Sequence, residues 1–316
     1  MNASVELKFA KFLAFGVFII TSLVAAGFST DPVNAPKLLV LGAVSFGILP
    51  YLIINRKNLI SSENKYLTFA TGIFLIAFTL ALAFSSSPFI QNFYGTYGRN
   101  TGWLTFFCFA IIMLVISSFT EMRSHRYLLA SLSLAGAANI IYGLVVQFFG
   151  DPVPWNNIYR ALLGTFGNPD FAGSFCGIIS GLYLALIIGY KQDTKRLVIF
   201  VLLFIGSIFG ILETKTKQGI LVAALVISIV IYFYIDKVIK RRIFKITYSL
   251  TIFVVGTLSL LGMLQIGPLS KYLYKQTVSL RGSYWHSAFN AGLNHPFTGI
   301  GVDALGDWYR RVRSLK

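Results

Sequence analysis

Charge is what this chain has least of. Of its 316 residues only 12% are Asp, Glu, Lys or Arg, against 56% hydrophobic, roughly half the charge of an ordinary soluble domain. The mean hydropathy is +0.72, which argues against a soluble chain. Cysteine is nearly absent too. Cys108 and Cys176 each lie inside an apolar block, which excludes a disulfide framework and leaves both to pack as small hydrophobes. His125, His286 and His295 are the whole histidine complement. There is no helical zinc motif, no phosphate-binding Walker sequence, no nucleophile elbow and no Cys/His cluster, so no metal and no cofactor is expected. The "GIG" at 299–301 follows no strand and has no third glycine at dinucleotide spacing.

What the chain does have is apolar length. Nine blocks, at about 12–28, 37–54, 66–84, 103–119, 127–149, 171–190, 197–212, 219–235 and 246–266, match the roughly 17–25 residues a helix needs to cross hydrocarbon. The expectation is an all-α, polytopic helical membrane protein of about nine transmembrane helices. The first block follows Lys8 and Lys11 and ends in "AAG", imitating a signal peptide. It is long for one and more spans follow, so it reads as an uncleaved first helix.

The 27 basic and 11 acidic residues give a formal charge of +16. The basic ones sit in short loops beside apolar spans, with no nucleic-acid-binding module among them, so nucleic acid is not an expected partner. Alternate connectors differ sharply. One set, including Lys191 and Lys240, is crowded with Lys and Arg, whereas the other holds Lys37, Arg99, Arg160, Lys215 and Lys217. The crowded set belongs on the cytoplasmic side, so the N-terminus is inside. Residues 1–266 read as one transmembrane bundle. Residues 267–316, with Lys271, Lys275, Arg281, Arg310, Arg311, Arg313 and Lys316, read as the start of a large segment on the outer side, followed into short amphipathic helices. Trp285, Ala288, Phe289, Gly292 and Leu293 form one stripe; Leu305, Trp308, Tyr309 and Val312 form another.

Cations on the poorly charged face carry the functional signal. Arg99 stands in "FYGTYGRNTGWL", Arg160 in "RALLGTFGNPDFAGSFCG", Lys215 and Lys217 in "ETKTKQG", and Arg281 opens "LRGSYWHSAFNAGLNHPFTGIG". Singly, each is an interfacial anchor or a solvated loop charge. Together they suit a diphosphate, which Arg binds bidentately and Lys meets as a point charge. Asn168 is placed to cap, and Pro169 to start, the sixth span. Its positive end would then face outward beside Arg160, unless Asp170 satisfies it. Gly173, Gly177 and Gly181 share one face of that span and imply close helix packing; Gly206 and Gly210 repeat the spacing in the next. Asn139 and Gln147 share a face of the fifth span and are expected to bond between helices. His295 in "NHPF" is expected to stabilise the turn before Pro296, though either outer histidine could accept a proton.

Taken in order, "YGRNTGWLTF", "RALLGTFGNPDFAGSF", "TKTKQGILVA" and "RGSYWHSAFNAGLNHPFTGIGVDALG" resemble the O-antigen ligase / O-antigen polymerase superfamily, over about 94–306. The resemblance implies a metal-independent glycosyltransferase of the bacterial inner (cytoplasmic) membrane. Such an enzyme moves a glycan from an undecaprenyl-diphosphate carrier to a glycan, lipid or protein acceptor. It further implies that Arg99, Arg160, Lys217 and Arg281 hold the diphosphate, with Lys215 and His295 in secondary positions. Lys217 stands where many relatives have arginine, keeping the charge but not the fork. The family's proposed base is a histidine of the large periplasmic loop, and members continue into a His-Asn pair and further spans. The expectation is therefore a chain truncated at Lys316, with the base lying beyond it and its own activity in question. The alternative is a transporter or flippase of a lipid-linked or anionic substrate. The paired repeats and mid-membrane charges typical of that class are not evident here.

Overall fold

A computed structural model of the chain describes residues 3–27, 30–154, 157–189, 193–239, 241–274 and 276–312, with backbone alone for 276–280 and 310. Lys191, Lys240, Lys275, Arg313 and Lys316, and the expected span ends at Phe28 and Tyr190, lie outside the described residues. Every regular element among the described residues is helical. In order they are α1 (Ala3–Ser22), α2 (Asn34–Ile54), α3 (Arg56–Leu59), α4 (Lys65–Ala83), α5 (Phe89–Tyr94), α6 (Trp103–Ser117) and α7 (Met122–Phe149). Then follow α8 (Pro169–Gly189), α9 (Thr194–Glu213), α10 (Lys217–Val238), α11 (Arg242–Met263), α12 (Ser270–Leu273), α13 (Gln276–Asn294) and α14 (Leu305–Val312). Helix is what an apolar chain must form in lipid, because it satisfies its own backbone donors and acceptors within the segment.

Each expected block falls wholly or largely on a long helix. Seven of these helices, α2, α4, α7, α8, α9, α10 and α11, are long and apolar enough to cross a membrane. The helix α6 is apolar but shorter, and α1 carries Glu6, Lys8 and Lys11. The first block also starts and stops early. Helix α1 ends at Ser22, and Gly27, at φ 83°, turns the chain. Asp31 then takes the amides of Val33, Asn34 and Ala35 and starts α2. Many apolar side chains on these helices, such as Phe69, Phe233 and Phe253, point outward and are exposed, as a lipid-facing surface requires.

The chain divides into two compact units, Met1–Leu132 with Gly282–Lys316, and Ser133–Arg281. In the first, α1, α2 and α6 pack around Leu13, Ile48, Tyr51 and Val115, all buried. Phe9 and Phe119 meet the Tyr51 ring edge-on at 5.4 and 5.3 Å. Glu6 is buried at the foot of this core and binds the start of α7. Its carboxylate accepts from the amides of Thr120 (3.2 Å) and Glu121 (2.9 Å) and from the hydroxyls of Thr120 (3.0 Å) and Ser124 (2.7 Å). Negative charge there also answers the positive end of the helix.

At the other end of this unit, the loop between α5 and α6 closes on itself. A Cβ on Gly95 would lie 2.3 Å from the Thr101 nitrogen, and one on Gly102 would lie 2.2 Å from that of Gly95. The first and last glycines of "GTYGRNTG" are therefore required by backbone-to-backbone contact. Phe89, Phe93, Trp103 and Phe107 stack in succession beneath the loop.

The second unit is built on α8, α9 and α10. Helices α8 and α10 run parallel and touch through glycine. Gly219 lies against Gly173, Gly177 against Gly219 and Ala223, and Gly181 against Val226. The three-glycine face is thus a helix contact, the packing its spacing implies. Gly210 repeats it against Cys176 and Gly206 against Ile140. Both cysteines are free and buried.

Candidate functional site

Because α8 and α10 are parallel and seated glycine on glycine, their N-termini open at the same end of the unit. Asn168 accepts from the Asp170 amide at 2.8 Å, with Pro169 as the first helical residue. Thr216 accepts from the Gly219 amide and caps α10, so Lys217 is that helix's first residue. A cation at a helix N-terminus opposes the macrodipole. Having Lys215 and Lys217 there concentrates positive charge at a place where a bare helix would avoid it.

The two helix starts border a cavity of about 620 Å3 lined by Lys215, Lys217, Arg281, Asp170, Gln218 and Tyr159, among others. Three cationic side chains face one carboxylate, and that carboxylate is only loosely engaged: Arg281 Nη2 stands 3.8 Å from Asp170 Oδ2. Asp170, the alternative partner for the helix end, has its side chain turned to Arg281. Lys217 donates to the Tyr272 carbonyl, and Gln218 to Ser174 Oγ at 3.0 Å.

Arg160 is next door. It lines a smaller cavity, about 320 Å3, with Gln147, Asn157, Glu213 and Lys215, and Lys215 borders both spaces. The loop is tied down at both ends of this contact: Lys215 Nζ donates to the Arg160 carbonyl at 2.9 Å, and the Leu162 amide to that of Glu213 at 3.0 Å. Arg160 (φ 46°) and Lys215 (φ 55°) both hold left-handed backbone, a conformation non-glycine residues enter at a cost and keep where surrounding structure enforces it. Asn139 reaches the loop that precedes α8. Its Oδ1 accepts from the amide (3.2 Å) and hydroxyl (2.9 Å) of Thr165, holding the 3-10 turn at Gly164–Phe166. Gln147 reaches the Arg160 cavity.

Of the expected cations, then, Lys215, Lys217 and Arg281 share one cavity, and Arg160 joins them through Lys215. Arg99 belongs to the first unit, where it lines a cavity with Gln91, Asp303 and Asp307. His295 lies in that unit as well. Its backbone carbonyl accepts from the Gly299 amide at 2.9 Å. Its ring meets Trp308 edge-on at 4.9 Å, and Arg311 covers the Trp308 face at 5.1 Å. Gln147, Glu213 and Gln218 were not singled out as site residues. The last two stand inside the quoted "ETKTKQG", which was the available signal.

Residues 201–314, from α9 into the C-terminal segment, match the family model described as O-Antigen ligase. Comparison with curated proteins and with solved structures finds no match. The matched stretch includes Lys215, Lys217, Arg281 and His295, and its helical, multi-pass setting supports a ligase or polymerase of lipid-linked glycans as the kind of function. The O-antigen ligase match over residues 201–314 supports the resemblance to the O-antigen ligase superfamily.

Proposed function

We propose that the protein is a glycosyltransferase of the bacterial inner membrane that takes a glycan from an undecaprenyl-diphosphate carrier and passes it to a surface-polysaccharide acceptor. The carrying observation is the cavity at the paired starts of α8 and α10, with Lys215, Lys217 and Arg281 around it. A diphosphate is the group that matches several cations gathered at two helix N-termini. It would draw Arg281 from its loose contact with Asp170, while Arg160 approaches from the adjoining space.

In the reaction the bond from sugar to diphosphate breaks, and negative charge grows on the departing oxygen. Cations already held in place favour that charge more than the ground state.

The test is binding of undecaprenyl diphosphate to the purified chain in lipid nanodiscs. Lys217→Ala and Arg281→Ala should each weaken it by about tenfold or more, the loss expected for one charge-assisted hydrogen bond. The same variants should lower glycan transfer in cells while the protein still inserts. Unchanged affinity in the double variant would end the diphosphate assignment.

A further inference from the structure

The first unit contains a larger cavity, about 1050 Å3, above the usual range for small-molecule sites. Its chemistry differs from that of the cationic one. Arg99 is here outnumbered by two carboxylates, Asp303 and Asp307, so a diphosphate would meet net repulsion. Around them stand tyrosine rings. Tyr94 and Tyr284 are each about half exposed, and Tyr284 is set at 5.0 Å, edge to face, against Tyr309.

Both carboxylates are fixed in place with one oxygen to spare. Asp303 Oδ2 accepts from the Thr96 amide at 2.6 Å. Asp307 Oδ2 accepts from Gln91 Nε2 at 3.0 Å and Ser87 Oγ at 3.2 Å. Among the described residues no hydrogen bond reaches Oδ1 of either. The chain around Asp303 is held just as firmly. Gly301, at φ 113°, sits where a Cβ would come within 2.4 Å of Ser85 Oγ and Asn92 Oδ1, and Ser85 donates to the Ile300 carbonyl at 3.2 Å. Asp303 itself (φ 58°), like Asn100 (φ 54°) on the facing loop, holds left-handed backbone.

Preorganised acceptors, an amide, a guanidinium and apolar ring faces in one open space match a ligand with many hydroxyl donors and C–H faces. We propose that this cavity is a sugar-binding subsite, in which Asp303 and Asp307 accept from ring hydroxyls and Tyr94 and Tyr284 pack against the ring's C–H face. The proposal rests on the lipid-linked glycan reading only for the class of ligand. The sugars could belong to the carrier-linked chain or to the acceptor.

The experiment uses the whole chain in nanodiscs and three probes: neutral oligosaccharides (chitotriose and maltotriose), sugar-free undecaprenyl diphosphate, and the same carrier bearing a glycan. Saturation-transfer NMR should detect an oligosaccharide bound to the wild type. Tyr284→Ala and Asp307→Asn should weaken it by about tenfold or more, and Tyr284→Phe should retain it, which separates loss of the ring from misfolding. Neither variant should change binding of the sugar-free carrier. If the glycan-bearing carrier binds more tightly than the bare one by a margin that Tyr284→Ala removes, the subsite holds the donor chain. Equal affinity of the two carriers, with free oligosaccharide still bound, assigns it to the acceptor. No oligosaccharide bound, or binding indifferent to both variants, overturns the subsite. Loss of bare-carrier binding in Lys217→Ala with sugar binding intact leaves both proposals standing, and its absence with sugar binding intact removes the diphosphate reading alone.

Discussion

Glu6 shows how much one residue can hold. It is a carboxylate placed ahead of the first expected span, and it satisfies four donors at the start of α7. Burial alone would raise its pKa; the bonds from Glu121, Ser124 and Thr120 outweigh burial and hold it below the ordinary carboxylate value. A lowered folded-state value means the stabilisation is complete above the unfolded carboxylate's range and is lost as pH falls through the lowered one. Glu6→Gln should therefore cost about 1–3 kcal/mol at neutral pH and flatten the acid limb, read as thermal unfolding in detergent from pH 7 to pH 3. Parallel wild-type and variant curves would refute the role. No local pattern marks Glu6 in the sequence, because Thr120, Glu121 and Ser124 lie more than a hundred positions away. Arg160 and Lys215 were legible as unusual cations, but their left-handed backbone was not, since no neighbouring residue type demands it.

Among the elements, the contact of α8 with α10 decides the site. A Cβ on Gly177 would come within 2.9 Å of the Ala223 nitrogen and the Gly219 carbonyl oxygen, whereas Gly189 in the same helix has nothing within 4 Å. Backbone cannot step aside as a side chain can. Gly177→Val should thus force the two helices apart, at about 1–3 kcal/mol or more. It should weaken undecaprenyl diphosphate binding as well, because Lys217 rides on the first turn of α10. Gly189→Val should do neither. Thermal aggregation and binding measured on both variants check this, and equal behaviour would show that the glycine contact does not position the cations. The four-residue glycine spacing was readable from the chain. Which helix it meets was not, because Gly219 sits alone in α10 without a matching stripe.

For the whole molecule the pattern of basic connectors makes a prediction about sidedness. In cells, a cysteine at Asp151→Cys should react with a membrane-impermeant maleimide applied from outside, and one at Arg123→Cys only after permeabilisation. The native Cys108 and Cys176 are buried and should stay silent. The opposite labelling pattern would invert the orientation. Helical content, the place of nearly every long helix and the family resemblance were readable in advance, since apolar length and short motifs are local properties. The count of spans was less secure. Short α6 and charged α1 differ from the other seven in the features that composition weighs.

Sequence by itself determined that this chain lives in lipid as a set of helices, because hydrocarbon thickness and backbone hydrogen bonding leave an apolar segment of that length little else to form. It also picked out the cations, since charge is rare enough here for each to stand out. Only the tertiary structure decided how they are grouped. Lys215, Lys217 and Arg281 share a cavity with Arg160 beside it, while Arg99 stands among carboxylates and tyrosines. That sorting depends on which helix each glycine face meets and where each loop is tied, contacts between residues far apart in the chain that no local pattern encodes.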